Sequence, residues 1–320
     1  MNSALSRKSW YLALPAVVLL VMAGYRLGHV QGADTVGEPV RMETAVGGSA
    51  APQTVAPPAL VAPPQRERPW SVGPGLPLDL RAALENTPDL FGYAQQLQRA
   101  GGAGNAEATW LLSRIYDYCT SYALDPSAYA LDNQTLAGLG LAEAPGLVAA
   151  RERVGRRCSG FTPADGLGRV LTLTQRRQAA VDGSLAAEAS LLAAGEPLHE
   201  DAGYRRALVE RVVDSQDPEA FLALSPAMGA SAASDDAYRG LVAGDQFSQL
   251  AWQLAACELG LACGPNSVLM NSYCANGGVC SRDSAQDFVS FVFDAAVPRQ
   301  GVEKMNQLVN RLRRRHGVDR

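Results

Sequence analysis

The chain has 320 residues, a formal net charge of −4 and a pI near 5.5. That balance gives no electrostatic case for nucleic acid as a partner. The length admits one large folded domain or two small ones beside any targeting segment.

The first element is the apolar run Trp10–Tyr25, which follows Arg7 and Lys8 and carries no charge. At about 1.5 Å per residue the run covers roughly 24 Å, short of a hydrocarbon core of about 30 Å. Extension toward Val30 supplies the missing length, with Arg26 and His29 reaching toward head groups. Residues 10–27 therefore read as a transmembrane helix, and Arg7 and Lys8 place residues 1–9 in the cytosol. The alternative is a cleaved signal peptide and a secreted soluble protein. Gln31 with Ala33, or Met22 with Gly24, fit a cleavage site poorly.

Residues 28–77 form a linker. Pro39, Pro52, Pro57, Pro58, Pro63, Pro64, Pro69, Pro74 and Pro77 sit among Ala, Val, Gly and Gln, removing backbone donors and fixing φ. A disordered, extended spacer is predicted, and the folded domain begins near Leu78.

From residue 78 to 320 the composition turns to helix formers. Trp110, Leu111, Ile115 and Tyr118 share one side of a helix over Ala106–Ser121, and Val302, Met305, Val309 and Leu312 do so again near the C-terminus. Sustained apolar and polar alternation is nearly absent. Glycine and proline recur at Gly101-Gly102, Pro126, Pro145-Gly146, Gly183, Gly195, Pro218, Gly244 and beyond, which predicts helices joined by tight turns and an all-α domain.

If the domain lies outside the cytosol, six cysteines predict three disulfides. Cys119 and Cys158 are spaced to staple one helical hairpin. Cys257, Cys263, Cys274 and Cys280 follow a C-x5-C-x10-C-x5-C pattern whose gaps are too wide for an ordinary zinc site. Adjacent pairing would leave the two halves of that segment unlinked, so Cys257 with Cys274 and Cys263 with Cys280 is the pairing favoured. With few large apolar residues, the segment is expected to depend on those bridges for order.

Catalytic signatures are sparse. His29, His199 and His316 form no metal motif, and neither a nucleophile elbow nor a phosphate loop occurs, so no cofactor is assigned. Glu107, Asp117, Glu188, Asp217, Glu219, Asp235, Asp236 and Glu258 are the candidates for the carboxylate pair a cell-wall enzyme would need. Helix caps and solvated faces are the competing account, and no cleft holding two such acids is predicted. Trp110, Tyr116, Tyr118 and Tyr122 on one helix form a candidate partner surface. The closing run Arg311 to His316 is read as cations complementing a helix dipole.

Two resemblances follow from particular residues. Ala179-Ala180-Val181-Asp182-Gly183-Ser184-Leu185-Ala186-Ala187 resembles the joint between units of Sel-one-like helical repeats, with Gly104-Asn105 and Gly244-Asp245 as further instances. The resemblance implies a degenerate, solenoid-like stack of helical hairpins. The placing of the cysteines is similar to that of uncharacterised helical envelope proteins of gamma-proteobacteria, which implies location and fold but no activity. Together these readings give an inner-membrane, single-pass protein whose periplasmic all-α domain, stapled by disulfides, binds another envelope protein. The alternative is a cell-wall enzyme.

Overall fold

The computed structural model describes residues 79–314, which lie within one compact unit, Val61–Arg320. The cytosolic end, the transmembrane run 10–27 and the linker 28–77 fall outside the described residues. Among those described, no helix is long and apolar enough to cross a membrane.

Every regular element described is helical. In chain order they are α1 (Leu80–Asn86), α2 (Leu90–Gly102), α3 (Ala106–Leu124), α4 (Pro126–Gly138), α5 (Ala144–Cys158), α6 (Arg169–Val181) and α7 (Leu185–Ala193). They continue as α8 (Ala202–Ser215), α9 (Pro218–Leu224), α10 (Gln246–Glu258), α11 (Val268–Asn271), α12 (Phe288–Ala295) and α13 (Val302–Arg313). A single π-helical turn, Ser272–Asn276, prolongs α11.

Local chemistry sets the helix starts. Asp79, Asp89, Asn105, Asp125, Ser184, Asp201, Asp217, Asp245, Ser267 and Asp287 each accept a backbone N–H of the first helical turn. Such caps satisfy donors that have no partner within the helix. The turn before α7 shows how one helix hands over to the next. The N–H of Ser184 bonds Ala179 O at 2.8 Å, and Gly183 between them stands at φ 103°, where a side chain would strain the backbone. The turn before α3 repeats this arrangement, with Asn105 N–H on Ala100 O at 3.1 Å and Gly104 at φ 88°.

The core runs along the stack. Helix α3 packs against α2 on one side and α6 on the other, α6 against α7, α7 against α9, α9 against α10, and α10 against α13. Leu97, Leu111, Ile115, Leu191, Leu208, Phe221, Leu224 and Trp252 are sealed from solvent. The Trp252 indole donates to Val242 O at 2.8 Å, so its one polar group is satisfied inside the core.

Three disulfides cross-link the domain. Cys119 pairs with Cys158, tying α3 to the end of α5. The favoured pairing within residues 257–280 is overturned: Cys257 bonds Cys263, and Cys274 bonds Cys280. Ordinary packing supplies the link that the crossed pairing was meant to provide. Val268, Leu269, Ala275 and Phe288 are buried in the main core, the Val268 N–H donates to Glu85 on α1 at 2.8 Å, and Arg153 on α5 donates to Asn271 at 2.9 Å. The segment has a core after all, shared with distant helices rather than built from its own residues.

Candidate functional site

A cleft of about 650 Å³ opens beside α3, within the size range of small-ligand sites. Trp110, Arg114, Asp117, Tyr118 and Ser121 follow the spacing that puts residues on one helical face, and all five line it. Helix α6 contributes Arg169 and Arg176, two turns apart. The end of α7 adds Ser190, Ala193 and Ala194, and the end of α9 with the following turn adds Leu222, Ala223 and Pro226. Val268 and Leu269 of α11 and Ser272 and Asn276 of the π-helical turn close the remaining wall. Turns of this rare kind are frequent where a helix is bent to serve a site.

Behind the lining residue Arg114 lies a buried acid. Glu219, 2 % exposed, accepts from Arg114 Nη1 at 2.5 and 2.7 Å and from the Trp110 indole at 3.2 Å. Nearer the mouth, Arg176 Nη2 donates to Asp117 at 2.9 Å and its guanidinium lies 5.8 Å from the centre of the Trp110 ring. Arg169 meets Glu196 at 3.5 Å. The lining thus carries three arginines and a single carboxylate, Asp117.

Every acid singled out from the sequence is engaged by an arginine. Glu107 and Asp217 share Arg81, Asp117 holds Arg176, Glu188 holds Arg211, Glu219 holds Arg114, Asp235 holds Arg205, Asp236 holds Arg239, and Glu258 holds Arg313. Glu85 was not among them. Burial pushes its carboxyl above the ordinary carboxylate range, against the opposing pull of the Val268 N–H, Arg114 and Arg157, while the nearby Glu219 charge pushes it further up. A half-buried glutamate next to a glycine-free stretch of α1 gives no signal in the sequence, because its environment is made by α3, α5 and α11.

The aromatic group proposed as a partner surface is divided by the fold. Trp110 and Tyr118 are both 3 % exposed and form the wall of the cleft. Tyr116 turns away to meet Phe161 edge-on at 6.3 Å, and Tyr122 meets Tyr129 at 5.5 Å. Residues 110 and 118 thus line the cleft on one side of α3, while residues 116 and 122 pack on other aromatic rings. His199 packs edge-on to Tyr204 at 4.9 Å, and no group of three or more potential metal ligands is assembled among the described residues.

What fold and site define together is a disulfide-linked all-α domain with an arginine-lined cleft. No family model, curated protein or solved structure matches the chain.

Proposed function

We propose that the chain is a binding module of a bacterial cell envelope, anchored in the inner membrane through residues 10–27 and carried on the 28–77 spacer, with its helical domain in the periplasm. The observation that carries the reading is the composition of the cleft. Arginines, hydroxyls and an apolar wall surround one carboxylate that is already ion-paired, a set suited to recognition rather than to acid and base chemistry. Three disulfides and no free cysteine among the described residues support an oxidising compartment.

The helical hairpins are read as degenerate repeats. In support, Gly104, Gly183 and Gly244 all have left-handed φ, and Asn105, Ser184 and Asp245 after them each cap the next helix. Such stacks present long surfaces to protein partners.

A cell-wall enzyme is the second reading, and Glu85 is the observation in its favour. Its raised carboxyl has the character of a general acid, but the residue does not line the cleft.

Cross-linking in intact membranes tests the first reading. The wild-type chain is expected to capture one envelope protein, and Ala223→Trp, which obstructs the cleft, to lose it. Equal capture by both chains would remove the cleft from the interaction. A reporter fused after Arg320 is expected to be active only beyond the inner membrane.

A further inference from the structure

Buried polar atoms without partners are few in folded proteins, and each asks for an explanation. Among the described residues there are four: Tyr118 Oη, Thr172 Oγ1, Arg176 Nε and Arg205 Nε. Two belong to cleft-lining side chains, and Thr172 stands one turn from Arg176 on α6. Two of the four atoms thus belong to one cleft.

Tyr118 is 3 % exposed; Arg157, its guanidinium 5.6 Å from the ring centre, donates to the carbonyls of Leu84 and Thr87 and also reaches the phenol, but a guanidinium only donates, so the Tyr118 O–H itself has no acceptor. Arg176, with 16 % of its side chain exposed, gives one N–H to Asp117 and keeps Nε–H without an acceptor. Asp117 is 64 % exposed. An ion pair that reaches so far into solvent is weak, and a ligand can replace its carboxylate at little cost. The planar fork of a guanidinium matches a carboxylate.

Leu222, Ala223, Pro226, Val268 and Leu269 give the lining an apolar part beside Ser272 and Asn276. The site therefore suits an anion with an apolar group attached. A phosphate dianion would meet Asp117 and, behind Arg114, Glu219. A monoanion meets the same acids with less repulsion.

We infer that the cleft receives the C-terminal carboxylate of a peptide chain, with Arg176 and Tyr118 as its anchors and the terminal side chain against Leu222 and Leu269. Capture of a C-terminal carboxylate is an established mode of peptide recognition, made elsewhere with backbone N–H groups; here the Arg176 guanidinium supplies the donors. The inference rests on the binding-module reading and specifies its ligand.

Calorimetric titration of the full chain with acetyl-Ala-Ala-Leu as the free acid, the same peptide as its C-terminal amide, and inorganic phosphate provides the test. The acid is expected to bind, the amide to bind about tenfold more weakly or worse, and phosphate not to displace the acid. Arg176→Gln is expected to lose about tenfold and Tyr118→Phe about threefold, while Asp117→Asn, a surface change that frees Arg176, tightens binding. Equal binding of acid and amide, no binding of either, displacement by phosphate, or weaker binding by Asp117→Asn overturns the inference.

The two readings fail separately. If Ala223→Trp releases the cross-linked envelope protein but neither peptide binds, the module stands and its carboxylate specificity falls. If the acid peptide binds but the obstruction leaves capture unchanged, the envelope interaction lies elsewhere.

Discussion

Glu219→Ala is expected to destabilise the domain by about 3–4 kcal/mol. The carboxylate is 2 % exposed and holds Arg114, whose side chain is 12 % exposed, together with the Trp110 indole. Breaking a buried ion pair by removing one partner costs about 3–5 kcal/mol, because the remaining charge stays desolvated. Arg114 borders the cleft, so water relieves part of that penalty and places the ionic contribution near the lower limit. The orphaned indole N–H adds about 1 kcal/mol. For a domain of this size the sum corresponds to a fall in Tm of roughly 6–16 °C. Guanidinium unfolding followed by far-ultraviolet circular dichroism, with disulfides intact, measures it. Replacing both partners, as Arg114→Met with Glu219→Met, is expected to restore most of the loss, since apolar groups of similar shape need no counter-charge. A loss below about 1 kcal/mol for Glu219→Ala, or a double variant less stable than the single one, would refute the claim that Arg114 at the cleft is held from behind by a desolvated pair.

Peptide mapping under non-reducing conditions should recover the links Cys119–Cys158, Cys257–Cys263 and Cys274–Cys280. On loop-closure entropy, removing the first should cost about 4 kcal/mol and either of the others about 2 kcal/mol, measurable by the same unfolding experiment. Glu85 binds protons more tightly folded than unfolded, so its contribution to stability falls as pH rises from its ordinary value near 4.5 through its raised folded value. Glu85→Gln should remove that component of the slope, and an unchanged slope in a pH series of unfolding curves would contradict it. Gly183→Ala should cost about 1–2 kcal/mol through backbone strain alone, because φ is 103° and nothing lies within 4 Å of the added carbon; a neutral result would show that the turn relaxes.

The parts of the fold legible in the sequence are those fixed by neighbours along the chain. Gly183 with Ser184, or Gly104 with Asn105, ends one helix and caps the next within a few residues, so the pattern and the structure agree. Helix α3 begins at Ala106 as its periodicity predicts and runs three residues past Ser121, to Leu124. The cleft was illegible for the opposite reason. Arg176 meets Asp117 across 59 positions, and Glu219 meets Arg114 across 105. One signal was present: Trp110, Arg114, Asp117 and Tyr118 share a helical face, and two charges on a face with two large rings mark a lined cavity better than aromatic residues counted alone.

The cysteine pairing shows where reasoning from chain connectivity misleads. Crossed bridges were favoured on the premise that the segment 257–280 had to be held together covalently. The premise fails because residues 268–275 pack against α5 and hydrogen-bond α1 through Val268 and α10 through Tyr273, with Val268, Leu269 and Ala275 buried, so tertiary contacts already hold the segment. Cys257–Cys263 closes the chain just before α11, and Cys274–Cys280 closes it within and after the π-helical turn. Between them lie Val268, Leu269 and Ser272, which form one wall of the cleft, while Asn276 sits inside the second loop. Loops this short restrict the unfolded chain less than the 39-residue separation of Cys119 and Cys158 does. Their placement puts one small bridge on either side of that wall in the chain, Cys257–Cys263 before Val268 and Cys274–Cys280 after Ser272.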